Sequence, residues 1–383
     1  MRRAEPWNTR AMARRKRGGD DPAKPVTLKE LAEHVGLSPT TVSVVLNRAP
    51  VADSIPQRTQ ELVFAAAEEL RYRPNHLARS LRSRRTHTLG VLVPELAEPY
   101  AAGVMSGLDS HVLEAGYFSL VASHQGQPYL IEEYLGLLEN RRVEGLILLA
   151  TALERAPGLP TVVVSGHTRL EGVTNVVLDH DRAARLALSH LAELGHRRIA
   201  LFKGHARSAD TDYRWQSIVT TAEDLGLEID ERLVFQLEED PSGYSSRTEE
   251  TYHKGYKYGR ELLERGHPFT ALFAFNDVSA IGAMRAFFDA GRRVPRDLSV
   301  VGFDDILSAG FHSPGLTTVR QPLREMGETA VRILLDRLHN GAAYPDFVTV
   351  EPTLVIREST GPVAAERSDA AAPAVEAAVL KAL

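Results

Sequence analysis

The sequence predicts two folded parts: a small all-α helix-turn-helix head, followed by an α/β domain of two lobes with two parallel, doubly wound sheets. The head is predicted from helical periodicity on both sides of a glycine within residues 27–70. From Thr88 onward, short apolar strands alternate with amphipathic helices, the pattern of parallel sheets covered by helices on both faces. This second part spans about 270 residues and contains more strands than one sheet conveniently holds, which indicates two lobes.

Two short helices joined by a tight turn open the head. Thr27 and Glu30 form a capping box, in which the hydroxyl accepts from a free helix amide and the carboxylate reaches back. Gly36 ends the first helix, Ser38 is placed to cap the second, and Pro39 takes its first position, where no amide is needed. A third helix follows. The apolar positions expected inside the head are Leu28, Leu31, Ala32, Val35, Val42, Val45, Leu46, Val63, Ala66, Ala67 and Leu70.

The α/β part is predicted from its apolar runs. The strands expected from these runs are 89–93, 118–122, 145–149, 162–164, 199–202, 271–275 and 298–303. Amphipathic stretches between them are expected to form the covering helices. In sheets of this kind, ligands bind beyond the carboxyl ends of the strands. A ligand site is therefore expected at that edge.

Composition excludes several classes of protein. The 383-residue chain is 43% hydrophobic and 25% charged, which is ordinary for a soluble globular protein of two or three domains. It contains no cysteine, so disulfides, thiolate metal sites and cysteine nucleophiles are excluded. No stretch approaches the roughly 20 apolar residues of a membrane span, and the basic N-terminus lacks the apolar core of a secretory signal. A cytoplasmic protein is expected.

Charge is distributed unevenly along the chain. Residues 1–86 carry 17 Lys and Arg against 9 Asp and Glu, a balance of +8, although the whole chain has a formal charge of −5. A basic head on an acidic body indicates a polyanionic partner for the head alone. Part of the excess lies in residues 1–25, so a basic tail without a partner is the competing interpretation.

Residues 26–47 read VTLKELAEHVGLSPTTVSVVLN and closely resemble the DNA-binding head of the LacI/GalR repressor family. Further segments follow in the family's order: YRPN with LARSLRS, VLVPELAEPY, RRVEGLILL, LAELGHRRIALFKG, AFNDVSAIGAMRAF, VPRDLSVVGFDDI and LTTVRQPLREMG. A helix-turn-helix match alone is a weak signal. Ordered segments at family spacing over residues 26–360 are a specific one.

The resemblance implies a transcriptional repressor that binds a near-palindromic operator as a homodimer or tetramer. Its ligand domain would resemble periplasmic sugar-binding proteins and hold a small effector, expected to be a carbohydrate, between the lobes, without a cofactor or metal. The implied segments are a disordered basic arm (1–25), the DNA-binding domain (26–72), a hinge helix and linker (73–86), the effector-binding and dimerisation domain (87–360) and a disordered tail (361–383). Lobe 1 would comprise about 87–178 and 320–345, and lobe 2 about 179–319 and 346–360.

The resemblance also implies which residues contact DNA. The base-reading positions would be Pro39, Thr40 and Val44, and the positions nearer phosphates Ser38, Thr41, Ser43 and Asn47, with Thr27 also among the DNA-binding residues. Val44 cannot make the bidentate contact with guanine that arginine makes, so contact with a thymine methyl is expected instead. The alternative for Val44 is a buried core position.

Leu81 corresponds to the family's minor-groove wedge. Two such leucines in a dimer would open a central base step and kink the duplex. Arg79 and Arg82 would lie near phosphates beside it. The alternative for Leu81 is packing between the head and the body.

Six residues are expected at the effector by the same resemblance: Tyr100, Ser165, Arg214, Asn276, Asp304 and Gln321. Arg214 would make a bidentate contact with vicinal hydroxyls or a carboxylate. Asp304 would accept hydrogen bonds from hydroxyls, and the ring of Tyr100 would stack on a sugar face. The alternative for Arg214 is a surface salt bridge, and Asp277 is expected to cap the helix beside it.

Some positions depart from the family or align poorly with it. Ser165 stands where many sugar-responsive relatives carry an aspartate, which changes the hydroxyl pattern that the site prefers. Asp210 and Asp212 are expected in a solvated loop, although they could reach the cleft. Either Tyr244 or Tyr252 could supply an aromatic wall.

Other functions remain open at this stage. A solute receptor without a DNA role would explain residues 87–360 but not the head. An enzyme is disfavoured, because the sequence has no His-Glu-x-x-His, Gly-x-Ser-x-Gly or phosphate-loop pattern. Within the regulator interpretation, some relatives respond to a purine or a partner phosphoprotein, and the effector can act in either direction. A tetramer is disfavoured because the tail lacks leucine heptads.

Overall fold

The computed structural model describes residues 26–47, 50–73, 85–206, 208–238 and 247–363. They form two compact units that divide between Arg85 and Thr86. The predictions for the N-terminal arm, for Arg79, Leu81 and Arg82 in the hinge, for Tyr244 and for residues 364–383 lie outside the described residues.

The head is built from α1 (Leu28–Val35), α2 (Pro39–Leu46), a 3-10 turn (Pro50–Ser54) and α3 (Gln57–Glu69). The Thr27 amide donates to Glu30 Oε2 over 2.7 Å and the Glu30 amide donates to Thr27 Oγ1 over 3.3 Å, so the capping box is present. Gly36 ends α1 at a φ of 66°, a left-handed conformation that favours glycine. The fully buried core consists of Leu31, Ala32, Val42, Val45, Val63 and Ala66. The remaining predicted core positions pack partly buried against it.

The elements of the second unit alternate between strand and helix along most of the chain. Its strands are β1 (Thr88–Val93), β2 (Phe118–Ser123), β3 (Gly145–Leu149), β4 (Thr161–Val164), β5 (Val173–Leu178), β6 (Ile199–Lys203), β7 (Val234–Gln236), β8 (Ala271–Phe273), β9 (Ser299–Asp304), β10 (Thr317–Arg320), β11 (Phe347–Val350) and β12 (Thr353–Val355). Its helices are α4 (Pro99–Glu114), α5 (Pro128–Asn140), α6 (His180–Glu193), α7 (Ala209–Asp224), α8 (Arg247–Glu264), α9 (Asp277–Asp289), α10 (Leu307–Phe311) and α11 (Leu323–Asn340).

Each lobe is organised around a six-stranded sheet. The first sheet has the order β11-β5-β4-β3-β1-β2 and is parallel throughout. The second has the order β12-β10-β9-β8-β6-β7 and is parallel except for the antiparallel pair of β10 with the edge strand β12. Every residue of β3, β5 and β9 is buried, as expected of parallel strands covered on both faces. The predicted fold class is confirmed.

The chain crosses between the lobes after β5, after β10 and after β11. α6 packs on β10 and β12 of the second lobe, whereas α11 returns to pack on α4 and on β3 to β5. The expected boundary at 345/346 lies too early, because Phe347 to Val350 pair with β5 in the first sheet. The first lobe therefore keeps β11, and the last crossing follows Val350.

The tail begins later than predicted. Gly361 accepts a hydrogen bond from His196 Nε2 over 3.1 Å, and the Val363 amide donates to the Leu194 carbonyl over 2.9 Å. Residues 361–363 are thus part of the second lobe. Among the described residues, every helix is too short or too polar to span a membrane.

Candidate functional site

The second helix of the head presents its polar side chains outward. Val42 and Val45 are buried, whereas Ser38, Pro39 and Thr40 at its start are exposed. The predicted positions Thr41, Ser43 and Val44 are partly exposed, and Asn47 and Thr27 are exposed. The first turn of α2 contains no acidic residue, so its free amides and positive dipole end are available to an anion.

Several of these polar groups are held by neighbours on the same helix. Ser38 Oγ accepts from the Thr41 amide over 3.1 Å and lies 2.8 Å from Thr41 Oγ1. Asn47 Nδ2 donates to the Ser43 carbonyl over 2.7 Å. These bonds fix the side chains against α2, which reduces the entropy that a contact with DNA would cost.

A cavity of about 350 Å³ lies where the two sheets face each other. Its wall consists of residues that follow the carboxyl ends of strands in both lobes, the position at which doubly wound sheets bind ligands. Five of the six predicted effector residues line it, namely Tyr100, Arg214, Asn276, Asp304 and Gln321. Other lining residues include Glu98, His124, Thr151, His205, Asp210 and Phe275.

Arg214 is buried at one side of the cavity. Its Nη1 donates to the Phe275 carbonyl over 2.6 Å, and its guanidinium carbon lies 3.6 Å from the ring centroid of Phe303 and 4.3 Å from that of Phe275. Burial lowers the pKa of Arg214, against the opposing charges of Asp210 and Asp304. Within the described residues its buried Nε has no hydrogen-bond partner. The surface salt bridge considered as the alternative does not fit this burial.

Asp304 and Gln321 form a second polar group in the wall. Gln321 Nε2 donates to Asp304 Oδ1 over 2.6 Å, and both side chains are buried. Burial raises the pKa of Asp304 well above its usual value, although Arg214 opposes the shift. Asp304 lies at a φ of 109°, within the range that favours glycine. The buried Oε1 of Gln321 has no hydrogen-bond partner in the described part of the chain.

Ser165 lies behind the cavity wall. Its hydroxyl is 2.6 Å from Tyr100 Oη, and it is not among the lining residues. The structure therefore gives Ser165 an indirect position, in which it holds the phenol of Tyr100. Burial raises the pKa of Tyr100 well above its usual value, with a further contribution from the charge of Asp210.

The cap of α9 is Asn276, and the expectation that Asp277 caps this helix is wrong. Asn276 is extended and its Oδ1 accepts from the Ser279 amide over 2.9 Å. Asp277 points into the lobe instead, where it accepts from the Ile306 amide over 2.9 Å and from Thr318 Oγ1 over 2.6 Å. The helix begins one residue earlier than the sequence suggested, which moves the cap to Asn276.

Asp210 was assigned to a solvated loop, and this assignment is wrong. α7 begins at Ala209, so Asp210 and Asp212 both lie in its first turn, Asp210 buried and Asp212 exposed. His167 Nε2 lies 2.7 Å from Asp210 Oδ1, and Arg214 Nη2 lies 3.7 Å from Asp210 Oδ2. The separation of four residues between Asp210 and Arg214 could have predicted one helix face.

The ionisation of Asp210 is set by opposing effects. Burial on its own raises the pKa of this carboxyl, but the hydrogen bond from His167, the close approach and charge of His180 and the charge of Arg214 hold the pKa well below its usual value. His124 and His205 also line the cavity, although no pattern in the sequence predicted a role for them there. Tyr252 packs partly buried against the second-lobe core and is not among the lining residues.

Two family models match the chain. The model described as bacterial regulatory proteins, lacI family, matches residues 27–75 and so covers the three-helix head. The model described as a periplasmic binding protein-like domain matches residues 188–360, which include most of the second lobe together with α11 and β11 of the first.

Individual proteins match over nearly their whole length. The HTH-type transcriptional repressor PurR of Yersinia pestis bv. Antiqua is 32% identical over 342 residues, covering 87% of this chain and 96% of the repressor. The lac repressor dimer bound to operator and the anti-inducer ONPF has a TM-score of 0.78 at 28% identity, covering 88% of this chain and 100% of that one. The complex of the transcriptional regulator CelR with cellobiose has a TM-score of 0.62 at 32% identity, covering 87% and 99%.

Proposed function

We propose that this chain, which belongs to the LacI family of bacterial regulatory proteins and is a DNA-binding transcriptional regulator, is a repressor whose operator affinity is switched by a sugar or sugar derivative. It would act in the cytoplasm as a homodimer on a near-palindromic operator, with no cofactor and no catalytic step. The cavity between the two sheets would hold the effector.

The observation that carries the effector assignment is the pair of buried, unpartnered atoms at the cavity. Arg214 Nε can only donate a hydrogen bond and Gln321 Oε1 can only accept one, and neither has a partner among the described residues. A buried polar group without a partner costs about 1–3 kcal/mol. A ligand that both donates and accepts would remove both costs.

A sugar matches this chemistry, because each hydroxyl donates one hydrogen bond and accepts others. Asp304, with its raised pKa, can be present as the acid, and then it donates as well as accepts. Tyr100 and Phe275 supply apolar ring surface for a sugar face. The volume of about 350 Å³ is at the small end of known ligand pockets, which favours a small sugar.

The proposed control of operator affinity by the effector rests on the fact that both lobes contribute residues to the cavity. Tyr100 and Thr151 come from the first lobe, whereas Arg214 and Asp304 come from the second. A ligand in contact with both groups stabilises one angle between the lobes. It changes operator affinity only to the extent that it binds the two lobe arrangements with different affinity.

On the DNA side, we propose that α2 enters the major groove. Thr40 and Val44 would meet base edges, while Ser38 and Asn47 would contact phosphates. Leu81, with Arg79 beside it, would act as the minor-groove wedge of the dimer.

The experiment is a calorimetric titration of the purified protein with panels of monosaccharides, disaccharides and purines, followed by operator binding with each ligand found. The proposal predicts that a sugar binds and shifts operator affinity. Binding of a purine alone would overturn the sugar assignment and keep the regulator. Consumption of a sugar, detected by chromatography, would contradict the non-catalytic role.

A further inference from the structure

We propose that His167, His180 and Asp210 form a binding site for a divalent transition-metal ion of the Zn²⁺ class, which joins the two lobes beside the effector cavity. One ligand atom from each residue lies within 4.8 Å of the other two. Two imidazoles and one carboxylate are donors that Zn²⁺ accepts, and three protein ligands leave one position of a tetrahedral ion for a further donor.

The distances among these atoms suit one shared ion. Asp210 Oδ1 lies 2.7 Å from His167 Nε2 and 3.4 Å from His180 Nε2. In a tetrahedral zinc site with bonds of 2.0–2.1 Å, ligand atoms are separated by about 3.3 Å. The His180–Asp210 separation already matches this value, and the two imidazole nitrogens lie within 4.8 Å of each other. A movement of His167 away from Asp210 and towards His180 would therefore bring both imidazoles to bonding distance of one ion.

His180 supplies the second, independent observation. Its side chain is only 6% exposed, yet neither Nδ1 nor Nε2 has a hydrogen-bond partner with good geometry in the described part of the chain. Its Nε2 nevertheless lies close to Asp210 Oδ1. An ion between His180 Nε2 and Asp210 Oδ1 would give this nitrogen the partner that it lacks.

The two carboxylate oxygens of Asp210 face different partners. Oδ1 faces both imidazoles, and Arg214 Nη2 lies 3.7 Å from Oδ2. The guanidinium is also held by the Phe275 carbonyl, which keeps it on the Oδ2 side. An ion at Oδ1 is thus separated from Arg214 by the carboxylate itself.

The ring of His167 is oriented by its neighbour. Tyr213 stacks on it with 4.0 Å between the centroids and 18° between the planes. An imidazole held in this way loses little rotational freedom when it binds an ion, so the cost of ordering it is already met. Asp210 lines the effector cavity, which offers the ion a path from solvent.

The three residues come from both lobes. His167 follows β4 in the first lobe, whereas His180 opens α6 and Asp210 lies in the first turn of α7 in the second. An ion bound to all three would resist separation of the lobes at this point. Metal would therefore act as a second ligand, one that stabilises the same lobe arrangement as shown in this structure.

The test is titration of the full chain, without a histidine tag, with Zn²⁺ by calorimetry and with Co²⁺ by absorption. We expect one equivalent of either metal ion to bind per chain, and bound Co²⁺ to show the visible absorption spectrum of a tetrahedral site. His180→Ala and Asp210→Asn should weaken this equivalent on the order of 100-fold or more. His190→Ala is the matched control, because His190 lies on the same helix and is bonded to Thr360 outside the cluster.

Two outcomes would overturn the site: no tight equivalent in the wild-type chain, or the same binding in His180→Ala as in the control. Either would leave His167 and Asp210 as a hydrogen-bonded contact only. If His180→Ala fails to fold, by circular dichroism, His167→Ala replaces it, because this side chain is in a loop. Metal binding is measured without effector or operator, so its failure would leave the proposed function untouched.

Discussion

The second helix of the head and the cavity between the lobes differ in how their polar groups are held. On α2 the polar groups are exposed or partly exposed, and they are held by neighbours three or four residues away, as Ser38 is by Thr41. In the cavity Arg214, Asp304 and Gln321 are buried, and they are held by groups far away in the chain, as Asp304 is by Gln321 and Arg214 by the Phe275 carbonyl. Water can satisfy the hydrogen bonds of exposed polar groups, whereas buried polar groups need a hydrogen-bond partner from the protein or from a ligand.

The largest expected difference is in the response to salt. Operator affinity should fall by about 10³-fold or more between 50 and 200 mM salt, because phosphate contacts release counterions. Affinity for a neutral effector in the buried cavity should change little over the same range. Both are measured by titration, and an operator affinity that stays flat with salt would contradict phosphate contacts by the basic head.

A pH dependence of stability should belong to the α/β domain. Burial raises the pKa of Asp277 from 3.8 to about 7, so the folded state favours the protonated form. The contribution of Asp277 to the free energy of unfolding is fully present below the unfolded pKa of 3.8. It is lost as the pH rises from there through about 7, by an amount on the order of 4 kcal/mol. Calorimetric melts across this window test the direction.

Asp277→Asn should flatten this decline, whereas the exposed Asp289→Asn on the same helix should keep it. An unchanged decline in Asp277→Asn would remove Asp277 as its source.

Arg214→Ala should separate the two regions functionally. Loss of a charge-assisted hydrogen bond of about 1.5–3 kcal/mol predicts effector affinity roughly 10- to 100-fold weaker, with operator affinity of the effector-free protein retained. Arg285→Ala is the control, since Arg285 is an exposed partner of Asp289 in the same lobe. Titration of each variant with the effector measures this, and a normal response in Arg214→Ala would discard the cavity assignment.

The smallest effect is expected from a pair of neighbours on α2. Val45 is 1% exposed, so Val45→Ala should destabilise the head by about 2 kcal/mol through lost burial. Val44 is partly exposed, so Val44→Ala should leave the melting temperature almost unchanged while altering operator preference. Equal destabilisation by both changes, in thermal melts, would place Val44 in the core.

The head was predictable because its determinants are local. The capping box, the turn at Gly36 and the spacing of Val42 and Val45 all act within a few residues, and each is found as predicted. In the α/β domain, the longer apolar runs predicted strands correctly. β5 was missed because Thr174 and Asn175 interrupt its run, although both are buried and bonded within the lobe.

Most of the residues expected at the effector line the cavity, but the contacts between their side chains could not be predicted. The resemblance identified Arg214 and Asp304, which line it, but no sequence pattern brings His167 within 2.7 Å of Asp210, 43 residues later. Ser165 was expected at the effector because the resemblance aligns it with a position where many sugar-responsive relatives carry an aspartate. Its contact with the Tyr100 hydroxyl, which holds Ser165 behind the cavity wall, depends on tertiary packing and has no local signal in the sequence.

Selection of binding sites from genomic DNA by the purified protein, with and without a pool of sugars, measures whether the head binds an operator and whether the cavity changes that binding. We expect a palindromic motif of two half-sites around a flexible central step, and an enrichment that changes when the pool is added. The absence of an enriched motif under both conditions would contradict a sequence-specific regulator controlled by the cavity.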